Sequence, residues 1–196
     1  MKVLGLDVST SNVGICIMDT EGPQRHRVLV TMAIPLSKKK GLYVKSCEVR
    51  DVLKVLSLDH KIDVIVIEES LQAFRRNMSS ARTICTLNRF NGAISWIARS
   101  TLNAPVVLGN VISVRNKVGL KIDRKSDVST KEQVLNWVSL HPDMVNFSWP
   151  TKILKSGPNK GKERKEDFCY DIADSFVMAL WGCDYLNIED LDPTII

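Results

Sequence analysis

Histidine is scarce in this chain. Its three copies, His26, His60 and His141, stand apart among polar neighbours, so neither a zinc site nor a nucleophile built on imidazole is expected. Cysteine is little used as well: Cys16, Cys47, Cys85, Cys169 and Cys183 are five, an odd number, and no two form a C-x-x-C pair. Three of them sit in apolar patterns, which suits reduced packing residues rather than a disulfide or zinc framework. No apolar run approaches the roughly 20 residues of a membrane span, and Met1 leads straight into a strand pattern without signal-peptide layout. A soluble, intracellular protein with no membrane partner is the expectation. Internal repeats and low-complexity segments are also missing.

What is present fits one domain, 1–196, with a full-sized core: 44% of the residues are hydrophobic and 25% charged. The net charge of +5 permits a polyanionic partner. Its distribution is uneven. Six cations (Arg115, Lys117, Lys121, Arg124, Lys125, Lys131) lie between positions 115 and 131, and six more (Lys152, Lys155, Lys160, Lys162, Arg164, Lys165) between 152 and 165. The tail from about 184 is acidic. Such runs are solvated surface unless a polyanion meets them.

The organising stretch is Met1 to Gly14, M-K-V-L-G-L-D-V-S-T-S-N-V-G, an apolar strand pattern that delivers one carboxylate, Asp7, at its exit. Left unpaired inside the run, that charge would cost several kcal/mol, so Asp7 is expected to face a cation, a donor or water. Ser9 to Asn12 reads as a turn into a second strand, Val13 to Met18; a further turn at Thr20–Pro23 leads to a third, Arg27 to Ile34. Leu42 to Leu58 has helical spacing. Val64 to Ile67 has no polar face and suits a parallel strand covered on both sides; Glu68 and Glu69 end it. After a loop, Ser70 to Ser80, a long helix is expected from Ala81 to Ser100, a short strand at Pro105–Leu108, a helix from Val111 capped by Asn110, and another to about Leu140 opened by Ser129 with Glu132 three residues on. His141 to Glu166 reads as a long connection, of a length that is usually functional or disordered. The last helix runs from about Asp167 to Gly182, with Ile172, Ala173, Phe176, Val177 and Leu180 on its buried face and Asp171 and Asp174 together on the other side.

This α/β order can bring the two strand exits, with Asp7 and Glu68, to the last helix. Carboxylate oxygens and water are the ligands Mg²⁺ or Mn²⁺ prefers, and two such ions about 4 Å apart can clamp the attacking and leaving oxygens of a phosphodiester. That chemistry needs several carboxylates and no histidine.

In G-L-D-V-S-T-S-N-V-G (Gly5 to Gly14), V-I-V-I-E-E-S-L (Val64 to Leu71), S-T-K-E-Q-V (Ser129 to Val134) and D-I-A-D-S-F-V-M-A (Asp171 to Ala179), the chain resembles the RuvC-like Holliday-junction resolvases of the RNase H-like superfamily. The pieces span almost the whole chain in the family's order. The resemblance implies an RNase H-like α/β fold, a five-stranded mixed sheet in which a three-strand antiparallel meander continues into parallel strands, flanked by helices. It implies a Mg²⁺- or Mn²⁺-dependent endodeoxyribonuclease with two ions per site, acting on branched DNA as a homodimer in a cytoplasm, that of the host cell if the chain is phage-encoded. Carried onto this sequence, the metal-binding tetrad is Asp7, Glu68, Asp171 and Asp174, with Lys131 near the scissile phosphate or the DNA backbone and Lys117 a looser second lysine. Glu69 competes with Glu68, and Asp167 is a bystander one turn before Asp171. Phe74, Arg75 and Arg76 would lie near the junction, and Arg115, Lys117, Lys131, Lys160 and Lys162 would contact DNA. The helix from Ala81 is the dimer element. The basic connection before the last helix is longer than the family's. Two other readings stand beside this one: a non-catalytic nucleic-acid-binding protein on the same fold, and a fragment of an actin-like sugar kinase, whose first phosphate loop resembles G-L-D-V-S-T-S.

Overall fold

The first apolar run pairs with the second across a tight polar turn, and this hairpin seeds the sheet. In the computed structural model, which describes residues 1–22, 25–70, 81–158 and 160–190, β1 (Lys2–Val8), β2 (Asn12–Gly22) and β3 (Arg25–Pro35) form the antiparallel meander. Helix α1 (Leu42–Asp59) returns the chain so that β4 (Val64–Glu68) lies parallel to β1, and α2 (Ala81–Leu102) does the same for β5 (Val106–Gly109) beside β4. The strand order is β3-β2-β1-β4-β5. Two short helices follow, α3 (Val111–Lys117) and α4 (Thr130–Ser139), then α5 (Cys169–Tyr185).

Side chains alternate across the sheet, and the two faces build two cores. Leu4, Leu6, Ile15, Ile17, Ile65 and Ile67 pack under α1 and α2 with Val49, Leu53, Phe90 and Ile94. Val3, Cys16, Met18, Val64 and Val66 pack under α5 with Phe176 and Val177. Helix α4 closes over α5 from outside, adding Val134, Leu135 and Val138.

Three expectations need correction. The stretch from Thr20 to Gly22 continues β2 instead of turning. The connection after His141 carries a small hairpin, β6 (Thr151–Ile153) paired antiparallel with β7 (Glu163–Lys165). And α5 has no polar side: every residue from Asp171 to Leu180 is buried, because the sheet covers one flank and α3 and α4 the other. The five cysteines are all free, Cys16 and Cys169 fully buried. Among the described residues no helix is long and apolar enough to cross a membrane. Phe74, Arg75 and Arg76 fall outside the described residues.

Candidate active site

Parallel strands deliver their exits to the same end of a sheet, and here the register sets two carboxylates side by side. The β1–β4 ladder ends at Leu6 opposite Ile67, so Asp7 and Glu68 are the next residue on each strand. Alternation decides between the tandem glutamates. Val64 and Val66 face α5, so Glu68 does too, while the Glu69 N–H donates to the Gly109 carbonyl at 2.9 Å and its side chain belongs to the opposite face.

The turn after Asp7 is tied down locally. The Ser9 hydroxyl accepts from the Asn12 N–H at 3.0 Å and donates to the Asn12 carbonyl at 2.9 Å. From α1, the buried Lys45 donates its Nζ to the Thr10 carbonyl at 2.6 Å. On the other side, Asn91 of α2, also buried, donates its amide to the Glu68 carbonyl at 2.9 Å and is braced by the Ser95 hydroxyl on its own carbonyl. Sequence reading passed over Lys45 and Asn91. The only signal was a polar residue recurring within an apolar helical face.

The second pair of acids arrives on α5, and two glycines let that helix lie backbone to backbone on the sheet. A Cβ built on Gly5 would stand 2.2 Å from the Ser175 carbonyl oxygen, and one on Gly14 would stand 2.0 Å from that of Asp171. Gly14 is also the ladder partner of Asp7. The contact that seats α5 therefore places Asp171 beside Asp7 and Asn12, both of which act on its carboxyl group. Asp171 and Asp174 are only 8% and 7% exposed.

This crowding is written in the acidities. Burial, then the charges of Glu68, Asp174 and Asp171, hold Asp7 well above the usual carboxylate range against the opposing Lys131. Burial and Asp174 push Glu68 up to about 7, although Arg115 and Lys131 pull it down. Burial raises Asp171 as well. The proton on Glu68 is thus held more tightly folded than unfolded, so unfolding releases it. Its stabilisation is complete below about pH 4.5 and lost as the pH rises through about 7. In chelator, the wild-type melting temperature relative to that of Glu68→Gln is expected to fall across that window; a pH-independent difference would contradict the assigned burial.

Two cations reach the cluster. Lys131, in the first turn of α4, acts on Asp7, Glu68 and Asp171 and sits 5.9 Å from the centre of the Tyr170 ring. Arg115 of α3 donates Nη2 to Asp174 Oδ1 at 2.7 Å. The looser candidate, Lys117, is elsewhere: it lies 5.5 Å from the Tyr185 ring, whose hydroxyl donates to its carbonyl, and Tyr185 is about 16 Å along α5 from Asp174. Asp167 behaves as a bystander, held low by Lys152 at 2.8 Å with Arg164 nearby. Lys160 and Lys162 are exposed on the connection between β6 and β7.

Four carboxylates with no nitrogen or sulfur donor among them form a donor set of the kind Mg²⁺ or Mn²⁺ takes, and the raised pKa values of Asp7, Glu68 and Asp171 mark a place short of positive charge. The set fits such an ion in chemistry. In its present arrangement, among the described residues, no group of three or more acidic, histidine or cysteine side chains is poised to hold one, and Arg115 stands on Asp174 instead.

No protein-family model matches the chain. Over 95 residues, 48% of this chain, it is 35% identical to the crossover junction endodeoxyribonuclease RuvC of Aliarcobacter butzleri, and the match spans 57% of that relative's length. The fold is that of solved RuvC structures: it superposes on T. thermophilus RuvC in complex with a Holliday junction substrate with a TM-score of 0.63 at 14% identity, covering 94% of each chain. The yeast mitochondrial Holliday junction resolvase gives a TM-score of 0.53 at 16% identity, covering 92% of this chain and 77% of that one. The expected five-stranded RNase H-like architecture is therefore the observed one.

Proposed function

We propose that this chain, RuvC-like in sequence and in fold, is a divalent-metal-dependent endonuclease that cuts branched DNA and resolves four-way junctions by paired nicks. The observation that carries the reading is the meeting of Asp7, Glu68, Asp171 and Asp174, from three distant parts of the chain, in one cluster of half-buried and buried acids. These four would hold Mg²⁺ or Mn²⁺, with two ions the number that the chemistry favours. When bound, such ions supply the Lewis-acid stabilisation of attacking and leaving oxygens in phosphodiester hydrolysis.

The chain's own residues do the rest. Asp171 and Asp174 are buried and Asp7 and Glu68 half-buried, so charges in the cluster act in a medium of lower dielectric than water. The backbone contacts at Gly5 and Gly14 fix the carboxylates before substrate arrives. Lys131 and Arg115 place positive charge where the phosphodiester would lie, and exposed Lys160 and Lys162 would hold the DNA backbone further out. The protein would act as a homodimer through α2, as its motifs' resemblance implies; Trp96 on that helix is 61% exposed.

A synthetic four-way junction incubated with and without Mg²⁺ tests the proposal. Symmetrically nicked arms are expected only with the metal, from wild-type protein and not from protein in chelator. Metal-independent retention of the junction without products would instead support a binding protein, and ATP turnover a phosphotransferase.

A further inference from the structure

Arg115 is caught between two places. One arm of its guanidinium is on Asp174 at 2.7 Å, with the two side chains only 15% and 10% exposed. Its Nε is buried and has no acceptor among the described residues. The same side chain lines a cavity of about 470 Å³ together with Arg124, Asn116, Thr130, Ile112 and Leu120. A charge-assisted pair of this kind takes up a carboxylate oxygen that a divalent ion needs as a ligand. The fork is at the same time incompletely satisfied. A phosphate is the partner that matches a guanidinium in two places at once, and a cavity carrying a second arginine is where one would be received.

We infer that Arg115 is a positioning residue that withholds Asp174 from a divalent ion in the free protein and gives it up when a phosphate of the substrate strand takes the guanidinium. The inference rests on the reading of the four acids as ion ligands. Arg115 is the counter-charge of Asp174 in the resting cluster, and the arriving strand draws it away. Linkage then requires DNA and ion to strengthen each other by a common factor, so that the site fills on DNA rather than in solution.

The test is Mn²⁺ binding, read as free Mn²⁺ by electron paramagnetic resonance. Wild type, Arg115→Met and Arg115→Lys are each titrated alone and with saturating four-way junction. Mn²⁺ held by the junction alone is subtracted, readings are taken in the cold before nicking sets in, and a gel of the same samples selects those readings in which the DNA is still whole. Matching melting temperatures establish that the variants are folded.

Alone, Arg115→Met is expected to bind Mn²⁺ about tenfold more tightly than wild type, with Arg115→Lys between them. With the junction the wild type should tighten to meet Arg115→Met, closing the gap. A gap that persists undiminished on DNA would make Arg115 a mere nearby charge and overturn the inference, as would the lack of any gap in the free proteins. Those outcomes leave the nuclease reading standing. Mn²⁺ binding by none of the three proteins, with or without DNA, would bring down that reading and this inference together.

Discussion

Asp7→Asn is expected to lower junction cleavage by about 10³-fold or more, the scale on which single members of a catalytic unit act, while junction binding survives and the protein melts at a higher temperature. The three effects share one cause. Asparagine has the same shape, so the β1–β2 ladder and the seat of α5 are kept, but it carries no charge. In the ion-free protein the ionised Asp7 is an unfavourable charge, buried and surrounded by Glu68, Asp174 and Asp171. Removing it relieves that repulsion, and each kcal/mol gained raises the melting temperature of a domain this size by about 2–4 °C. What the cluster loses is a ligand oxygen at the exit of β1, where the four acids meet. Single-turnover cleavage, gel-shift binding and thermal melting on one preparation check all three. Cleavage at near wild-type rate would remove Asp7 from the proposed chemistry, and a lowered melting temperature would contradict its electrostatic setting.

Gly14→Ala is expected to cost more than the about 1–3 kcal/mol of ordinary overpacking and to abolish cleavage even at temperatures where the variant is folded. The added Cβ would meet backbone, 2.0 Å from the Asp171 carbonyl oxygen and 2.5 Å from its carbon, and backbone has no rotamer to change. Gly14 has no room to retreat either, since ladders hold it to Asp7 on one side and Ala33 on the other. Helix α5 must lift, and Asp171 leaves Asp7 when it does. Gly92→Ala is the matched control. Nothing stands within 4 Å of its added carbon in α2, so about 0.5–1 kcal/mol of stabilisation is expected from helix propensity alone. Denaturant melts of the pair measure the contrast, and Gly14→Ala melting like wild type would refute the close seating of α5.

The sheet and its five main helices were legible because each element carries a strong local period or a cap. Val64 to Ile67, bounded by Asp63 and Glu68, could hardly be anything but a buried strand. Asn110 and Ser129 cap α3 and α4 as their positions suggest, accepting from the Ser113 and Glu132 N–H groups. The hairpin of β6 and β7 was not legible, since three-residue strands with mostly exposed side chains leave no pattern to detect. Nor was the burial of Asp171 and Asp174. Spacing put them opposite the apolar stripe, and only tertiary packing shows that α3 and α4 cover that side. Arg115 and Lys117 were interchangeable as sequence, yet two residues on a helix are about 200° apart, and it is Arg115 that reaches Asp174 while Lys117 lies by Tyr185. The preference for Glu68 over Glu69 rested on the family resemblance alone, because a strand apolar on both faces conceals its own phase.

That concealment bears on which errors the gene can survive. Because β4 presents hydrocarbon to both cores, its side chains exert little veto over sliding by one position along β1. Loss of one codon between Val64 and Ile67 would carry Glu69 into the place of Glu68 and leave the carboxylate count intact. Under the proposed assignment the doubled glutamate would thus serve as a spare, and one residue could be shed here without first losing an acid.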